Sequence, residues 1–336
     1  MKSNETLLSA RQNIISEFKK YEYIIVPFIK FIFIFTGVYI LKGATNYTGA
    51  LGGMLAIMLL SLIGTFVSAE WILIGSILMA TFFILPANPV FAILIFVILT
   101  IIYLAFMRLF PKESLLCLVT LMAFSLNMPL LIPIIAGLIM NYVSVAAMII
   151  GVIIWFLVPD LMGVIQSPAL NKTEIVDLVT SISKIDFNAL LLDPKMLSII
   201  VVFFIVFSVV YIIRKQSIDY GPYIAICVGL VVNILGFGMA VLFFNDIGMG
   251  IVSVIVWTLI SGVLAVIIQF FSVALDYQRA EVVHFEDEEN YYYVKVIPKI
   301  NATVKHSRVK RVYTNNKGPK DFNSRIMESY HEDKGI

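Results

Sequence analysis

Charge is scarce in this sequence. Only 14% of the 336 residues are Asp, Glu, Lys or Arg, and nearly half of these follow Leu275. The three histidines, His284, His306 and His331, also lie in that last fifth. Residues 24–275 therefore offer no chain of ionisable groups to relay protons, and no base to activate a nucleophile. Cysteine is limited to Cys117 and Cys227, both inside apolar runs. Two separated thiols make neither a disulfide framework nor a Cys/His metal cluster, and both are expected to be buried and free. Walker A, HExxH and Gly-x-Ser-x-Gly patterns are missing. The net charge of +2 is too small to argue for nucleic acid. No cofactor, metal or enzymatic activity is implied.

What fills the sequence is hydrocarbon. Hydrophobic residues make up 60%, and the mean hydropathy is +0.96. Soluble domains are roughly 45–50% apolar, so lipid is the expected solvent for most of this chain. A spanning helix needs about 20 apolar residues. Candidates are 24–41, 51–67, 71–85, 88–106, 143–165, 196–213, 222–243 and 250–275. The runs lack the two-residue alternation of a membrane barrel. The expected fold is an all-α polytopic bundle of about eight spans over 24–275, with an outer loop at 166–195. A cytoplasmic amphipathic segment (1–23) precedes it, and the first apolar run reads as a retained anchor. A β-rich cytoplasmic tail (276–314) follows, then a polar stretch (315–336) expected to be disordered.

Short loops rich in Lys and Arg stay cytoplasmic. Lys19 and Lys20, Arg108 and Lys112, Arg214 and Lys215, and the tail set Lys305, Arg308, Lys310 and Arg311 all belong inside by that rule. Four crossings return the chain inside at 107–114. Counting back from the tail places 166–195 outside. Segment 143–165 supplies the one crossing between them, so 115–140 must contribute an even number.

The stretch SLNMPLLIPII, Ser125 to Ile135, explains how. Residues 115–126 and 129–140 are each about 12 long, or ~18 Å as helix, too short for ~30 Å of hydrocarbon. Two such arms meeting at Asn127–Pro129 make a re-entrant hairpin that enters from the cytoplasm and turns near mid-membrane. Pro129 starts a helix cleanly, and Asn127 is expected to cap the following helix with its side-chain oxygen. Broken backbone survives in a bilayer only against protein or water, and transporters present such half-helix ends to substrate. The alternative is one long helix kinked at Pro129 and Pro133, which breaks the parity. Segments 51–67 and 71–85 are expected to be two spans. As a second hairpin entering from outside, they would carry Glu70 to the midplane instead of the cytoplasmic surface.

Ser125, Asn127, Pro129, Pro133, Asn233 and Glu70 are thus the candidates to line a substrate path. For Asn233, flanked by Gly229, Gly236 and Gly238, helix packing is the favoured role. For Asn127, a structural cap and a path-lining role stand equal.

Past the membrane body the period changes. AEVVHFEDEENYYYVKVIPK reads as two strands around an acidic turn at Asp287–Asn290, with 302–314 as a third. Tyr291, Tyr292 and Tyr293 suit a half-buried strand. They and the basic set are the candidates to meet lipid headgroups or a cytoplasmic protein partner. Residues 171–184 suggest a short outer helix.

The segments MRLFPKESLL, MPLLIPIIAGL, RKQSIDY, VALDYQRAE and HFEDEENYYYVKVIPK resemble a family of polytopic membrane proteins of Gram-positive anaerobic bacteria with an acidic, Tyr-rich tail. The resemblance implies a bacterial plasma membrane location and assigns no functional residues; the loop charges put both termini in the cytoplasm. The expected function is permease-like transport or conduction of a small solute past the hairpin tip. The alternative is a non-transporting scaffold that recruits partners through its tail. Neither substrate nor oligomeric state is legible.

Overall fold

A computed structural model describes residues 2–165, 193–216, 218–243, 250–272, 281–287 and 291–296. In chain order the helices are α1 (Lys2–Lys20), α2 (Glu22–Thr45), α3 (Met54–Thr65), α4 (Ala69–Ile84) and α5 (Pro89–Ile102). They continue with α6 (Pro111–Ser125), α7 (Leu131–Ile139), α8 (Ser144–Ile165), α9 (Pro194–Lys215), α10 (Gly221–Phe243) and α11 (Ile251–Ser272). Strands β1 (Glu281–Glu286) and β2 (Tyr291–Val296) pair antiparallel, with Val283 opposite Val294 and His284 opposite Tyr293. The two expected strands are therefore present. The expected third strand, the basic residues Lys305, Arg308, Lys310 and Arg311, and the outer helix near 171–184 lie outside the described residues.

Among the described residues, α2, α9, α10 and α11 are long and apolar enough to cross a membrane. Shorter apolar helices surround them. No residue of α2 is buried by protein. Leu55, Phe243 and Val252 are each more than 70% exposed. Water does not tolerate so much contiguous apolar surface, and lipid does. The molecule has the make-up of an all-α membrane protein.

The interior forms around α7, α9 and α10. Phe203, Phe207, Leu130 and Ile134 are wholly or almost wholly buried there. Two glycines let α9 and α10 close up. A Cβ on Gly229 would stand 2.5 Å from Val210, and one on Gly236 would stand 2.7 Å from Val202. Pairing 202 with 236 and 210 with 229 makes α9 and α10 antiparallel. At the start of α9, Pro194 occupies the first turn and the Asp193 carboxylate accepts from the Lys195 N–H at 3.2 Å. Cys117 is buried as expected, but Cys227 is exposed on the outward face of α10, where a thiol meets lipid as readily as protein.

The path of α6 through α8 sets the site. Gly151 of α8 lies on the Cys117 carbonyl and the Thr120 side chain of α6. One turn further along both helices, Phe124 stacks on Trp155 at 5.4 Å. Thus α6 and α8 run side by side in the same direction. A chain that climbs twice must descend between, and α7 is the descent. Ser144, at the start of α8, is therefore back at the end of the bundle where α6 begins, here called the near end.

The fold-back turns about halfway along the long helices. Phe124 meets Phe203, near the middle of α9, at 5.9 Å. Leu130 meets Asn233, near the middle of α10, at 3.0 Å. At ~1.5 Å per residue, α6 is ~22 Å long and α7 ~14 Å, and the chain turns back after α6 instead of continuing along α9 to the far end. The arms do not hug each other. α6 packs on α4 and α8, while α7 sits among α9, α10 and α11.

Candidate functional site

Backbone chemistry at the turn begins with the end of α6. The Asn127 N–H donates to the Phe124 carbonyl at 3.0 Å, and the Met128 N–H to the Ala123 carbonyl at 2.8 Å. Asn127 adopts φ 58°, in the left-handed region. This pair of bonds around a left-handed residue is a Schellman closure, and Asn is the residue other than Gly that most readily takes the position. The expectation that Asn127 caps the next helix is therefore corrected. It closes the helix before it, and α7 has no side-chain cap at its start.

The first N–H groups of α7 are already consumed. Leu131 donates to the Met128 carbonyl at 3.3 Å and Ile132 to the Pro129 carbonyl at 3.1 Å. Pro133 comes next and has no N–H to leave orphaned. In a first helical turn, that missing donor costs nothing. Both prolines are buried. So α7 does not offer a row of free donors to a substrate, contrary to the half-helix expectation. Ser125 turns its hydroxyl back to the Leu121 carbonyl at 3.0 Å.

Side chains from other helices hold α7 at both ends. Asn233 of α10 is fully buried and its Nδ2 donates to the Leu130 carbonyl. At the other end, the Arg214 guanidinium of α9 donates to the Leu138 carbonyl and, at 3.2 Å, to the Met140 carbonyl. The flat guanidinium fork serves two carbonyls at once, and its charge suits a helix C-terminus. Gly137 lets α9 approach, since a Cβ there would stand 3.0 Å from the Phe207 carbonyl. Tyr142, beyond α7, packs on Phe207 and Tyr211. Arg11 of α1 repeats the device on α11, donating to the Phe270 carbonyl at 2.7 Å.

Among the described residues, the buried oxygens Asn233 Oδ1 and Thr258 Oγ1 have no hydrogen-bond partner. Gly262 of α11 lies against Leu230 of α10, where a Cβ would stand 2.7 Å from that side chain. The two helices are antiparallel, so stepping one turn along each brings Asn233 and Thr258 to the same level. Both are wholly buried. Unpaired buried oxygens are costly, and together they favour a small group that donates hydrogen bonds. Asn127 itself is exposed at the tip.

The structure thus brings Asn127, Pro129, Pro133 and Asn233 to one turn. Glu70 stands apart. It is exposed in the first turn of α4. Leu73, one turn later, shares a buried cluster with Met107 and Cys117 toward the near ends of α5 and α6. Phe83, at the other end of α4, stacks on Tyr47 at 4.6 Å. Tyr291 and Tyr292 are exposed on β2, and the Tyr292 hydroxyl donates to Asp287 at 3.0 Å.

Comparison with protein-family models, with curated proteins and with solved structures finds no match.

Proposed function

We propose that this protein is a permease-like transporter or channel for a small solute in a bacterial plasma membrane. In this reading α2–α5 and α8–α11 make eight crossings, and α6–α7 re-enters from the cytoplasm. Arg108 and Lys112, with Arg214 and Lys215, fall at the near end, and the preference of Lys and Arg for the inner side supports reading that end as cytoplasmic. The observation that carries the reading is Asn127. An exposed Asn side chain on broken backbone, level with the middle of α9, calls for water or protein in place of lipid, and in this reading it faces water. Asn233 Oδ1 and Thr258 then mark a polar station beside the turn for a solute that donates hydrogen bonds.

The test is access. Asn127→Cys, in a chain whose two native thiols are removed, reacts in intact membranes with a small charged thiosulfonate about as fast as a loop cysteine. A residue facing lipid does not react, and that result rejects a water path at the tip.

A second reading, the scaffold, draws on the tail. Val283, Val294 and Val296 share one face of the β1–β2 ribbon and are each about two-fifths exposed. A two-stranded ribbon is marginal alone, and a partner that covers this face would complete it.

A further inference from the structure

The link between α2 and α3 carries a pocket at the far end that the fold-back does not use. Its volume is about 290 Å³, and its walls include Lys42, Tyr47, Thr48, Gly49, Gly52 and Gly53. α2 stops at Asn46, which is left-handed with φ 51°. The chain then passes through a 3-10 turn at Ala50–Gly52 and enters α3 after Gly53.

Three kinds of donor lie in the pocket wall or next to it. First, α3 starts without a side-chain cap. Its earliest backbone bond runs from the Ile57 N–H to the Gly53 carbonyl, so the N–H groups of Met54, Leu55 and Ala56 have no backbone acceptor among the described residues. Second, the Lys42 stem crosses Gly52, its Cε being 3.4 Å from where a Cβ would stand. That brings the end of the Lys42 side chain beside the 3-10 turn that leads into α3, on the wall of the pocket. Among the described residues the one ion pair is Lys20 with Glu17, so Lys42 has no carboxylate. Third, Tyr47 is only 8% exposed, its ring held against Phe83. Its hydroxyl occupies the space that a Cβ on Gly49 would take. It has no hydrogen-bond partner among the described residues. No acidic residue lines the pocket.

We propose that this pocket binds a phosphate group. The open start of α3 faces one side of the anion, Lys42 neutralises it, and the Tyr47 hydroxyl donates from beneath. A cation is disfavoured by the ammonium and by the positive end of the helix. The volume exceeds a bare phosphate, so the group arrives on a larger molecule, either a soluble phosphate ester or a phospholipid headgroup.

The full-length protein in maltoside micelles, which contain no phosphate, separates these sources. One arm titrates it with inorganic phosphate and glycerol phosphate by calorimetry. The other adds phosphatidylglycerol and counts the lipid retained in native mass spectra. Binding in the first arm assigns a soluble ester, and retention in the second alone assigns a headgroup. In whichever arm the wild type binds, Lys42→Gln weakens binding by about tenfold or more, and Tyr47→Phe by about threefold. Tyr47→Phe keeps the ring stack, so it decides the matter if Lys42→Gln fails to fold. The proposal is overturned if the wild type binds in neither arm, or if folded variants bind as the wild type does.

Discussion

The Nδ2 of Asn233 and the carbonyl oxygen of Leu130 are 3.0 Å apart, though 103 residues separate them in the chain. The bond ties the middle of a long apolar helix to the residue that leads into a short buried one. Arg214 ties the other end of that short helix to α9. A nine-residue helix has little stability of its own. Arg214 supplies partners for C-terminal carbonyls that the helix leaves bare, and Asn233 gives the Leu130 carbonyl a second donor beside its helix bond.

Asn233→Leu keeps the volume and removes the donor. The Leu130 carbonyl then keeps its helix bond but loses its second donor, at a cost of about 1 kcal/mol. The expected outcome is a lower melting temperature in detergent. Asn233→Asp is expected to be worse, because it offers no donor and brings a carboxylate into the interior.

At position 214 the shape of the donor matters as well as its charge. Arg214→Lys keeps one point donor and Arg214→Met keeps none. Amide exchange at 139–145 should speed up in the order Arg, Lys, Met. Equal rates in all three would remove Arg214 from the role of clamp.

Position 127 has a backbone demand. Asn127→Gly is expected to leave stability nearly unchanged, since glycine takes the left-handed conformation freely. Asn127→Val forces a β-branched residue to φ 58° and should cost about 1–2 kcal/mol. Denaturation of the two variants side by side checks the order.

Two glycines of α10, nine residues apart, should respond in opposite ways. A Cβ on Gly229 meets the buried Val210 side chain at 2.5 Å, whereas one on Gly238 meets nothing within 4 Å. Gly229→Ala should destabilise by about 1–3 kcal/mol through overpacking. Gly238→Ala should be neutral or stabilise by about 0.5 kcal/mol. Melting curves of both, purified in the same detergent, give the comparison.

Much of this architecture was legible because hydrophobic runs and loop charges are one-dimensional signals. The even count required of 115–140, and the break around Pro129, led to arms close to the observed α6 and α7. Asn127 was harder, because a capping side chain and a left-handed backbone draw on the same residue types, and only the dihedral separates them. Pro133 looked like a second break but sits harmlessly in a first turn. Arg214 read as a topology marker for the loop after α9. Its reach back to Leu138 and Met140 spans more than seventy residues, which no local pattern reports. One hint was present: α7 ends without a glycine cap in an apolar setting, so some donor had to come from elsewhere. The exposure of Cys227 was hidden for a related reason, since on an all-apolar helix the lipid face and the protein face read alike.

The central claim is that the chain turns back within the membrane between α6 and α8. Lys112→Cys and Asn141→Cys, each made in a chain lacking Cys117 and Cys227, test it most directly with an impermeant thiol reagent applied to intact cells and to inverted vesicles. The fold-back predicts that both positions label from the same face. Labelling from opposite faces would mean that 115–140 crosses the bilayer once, and would contradict the account.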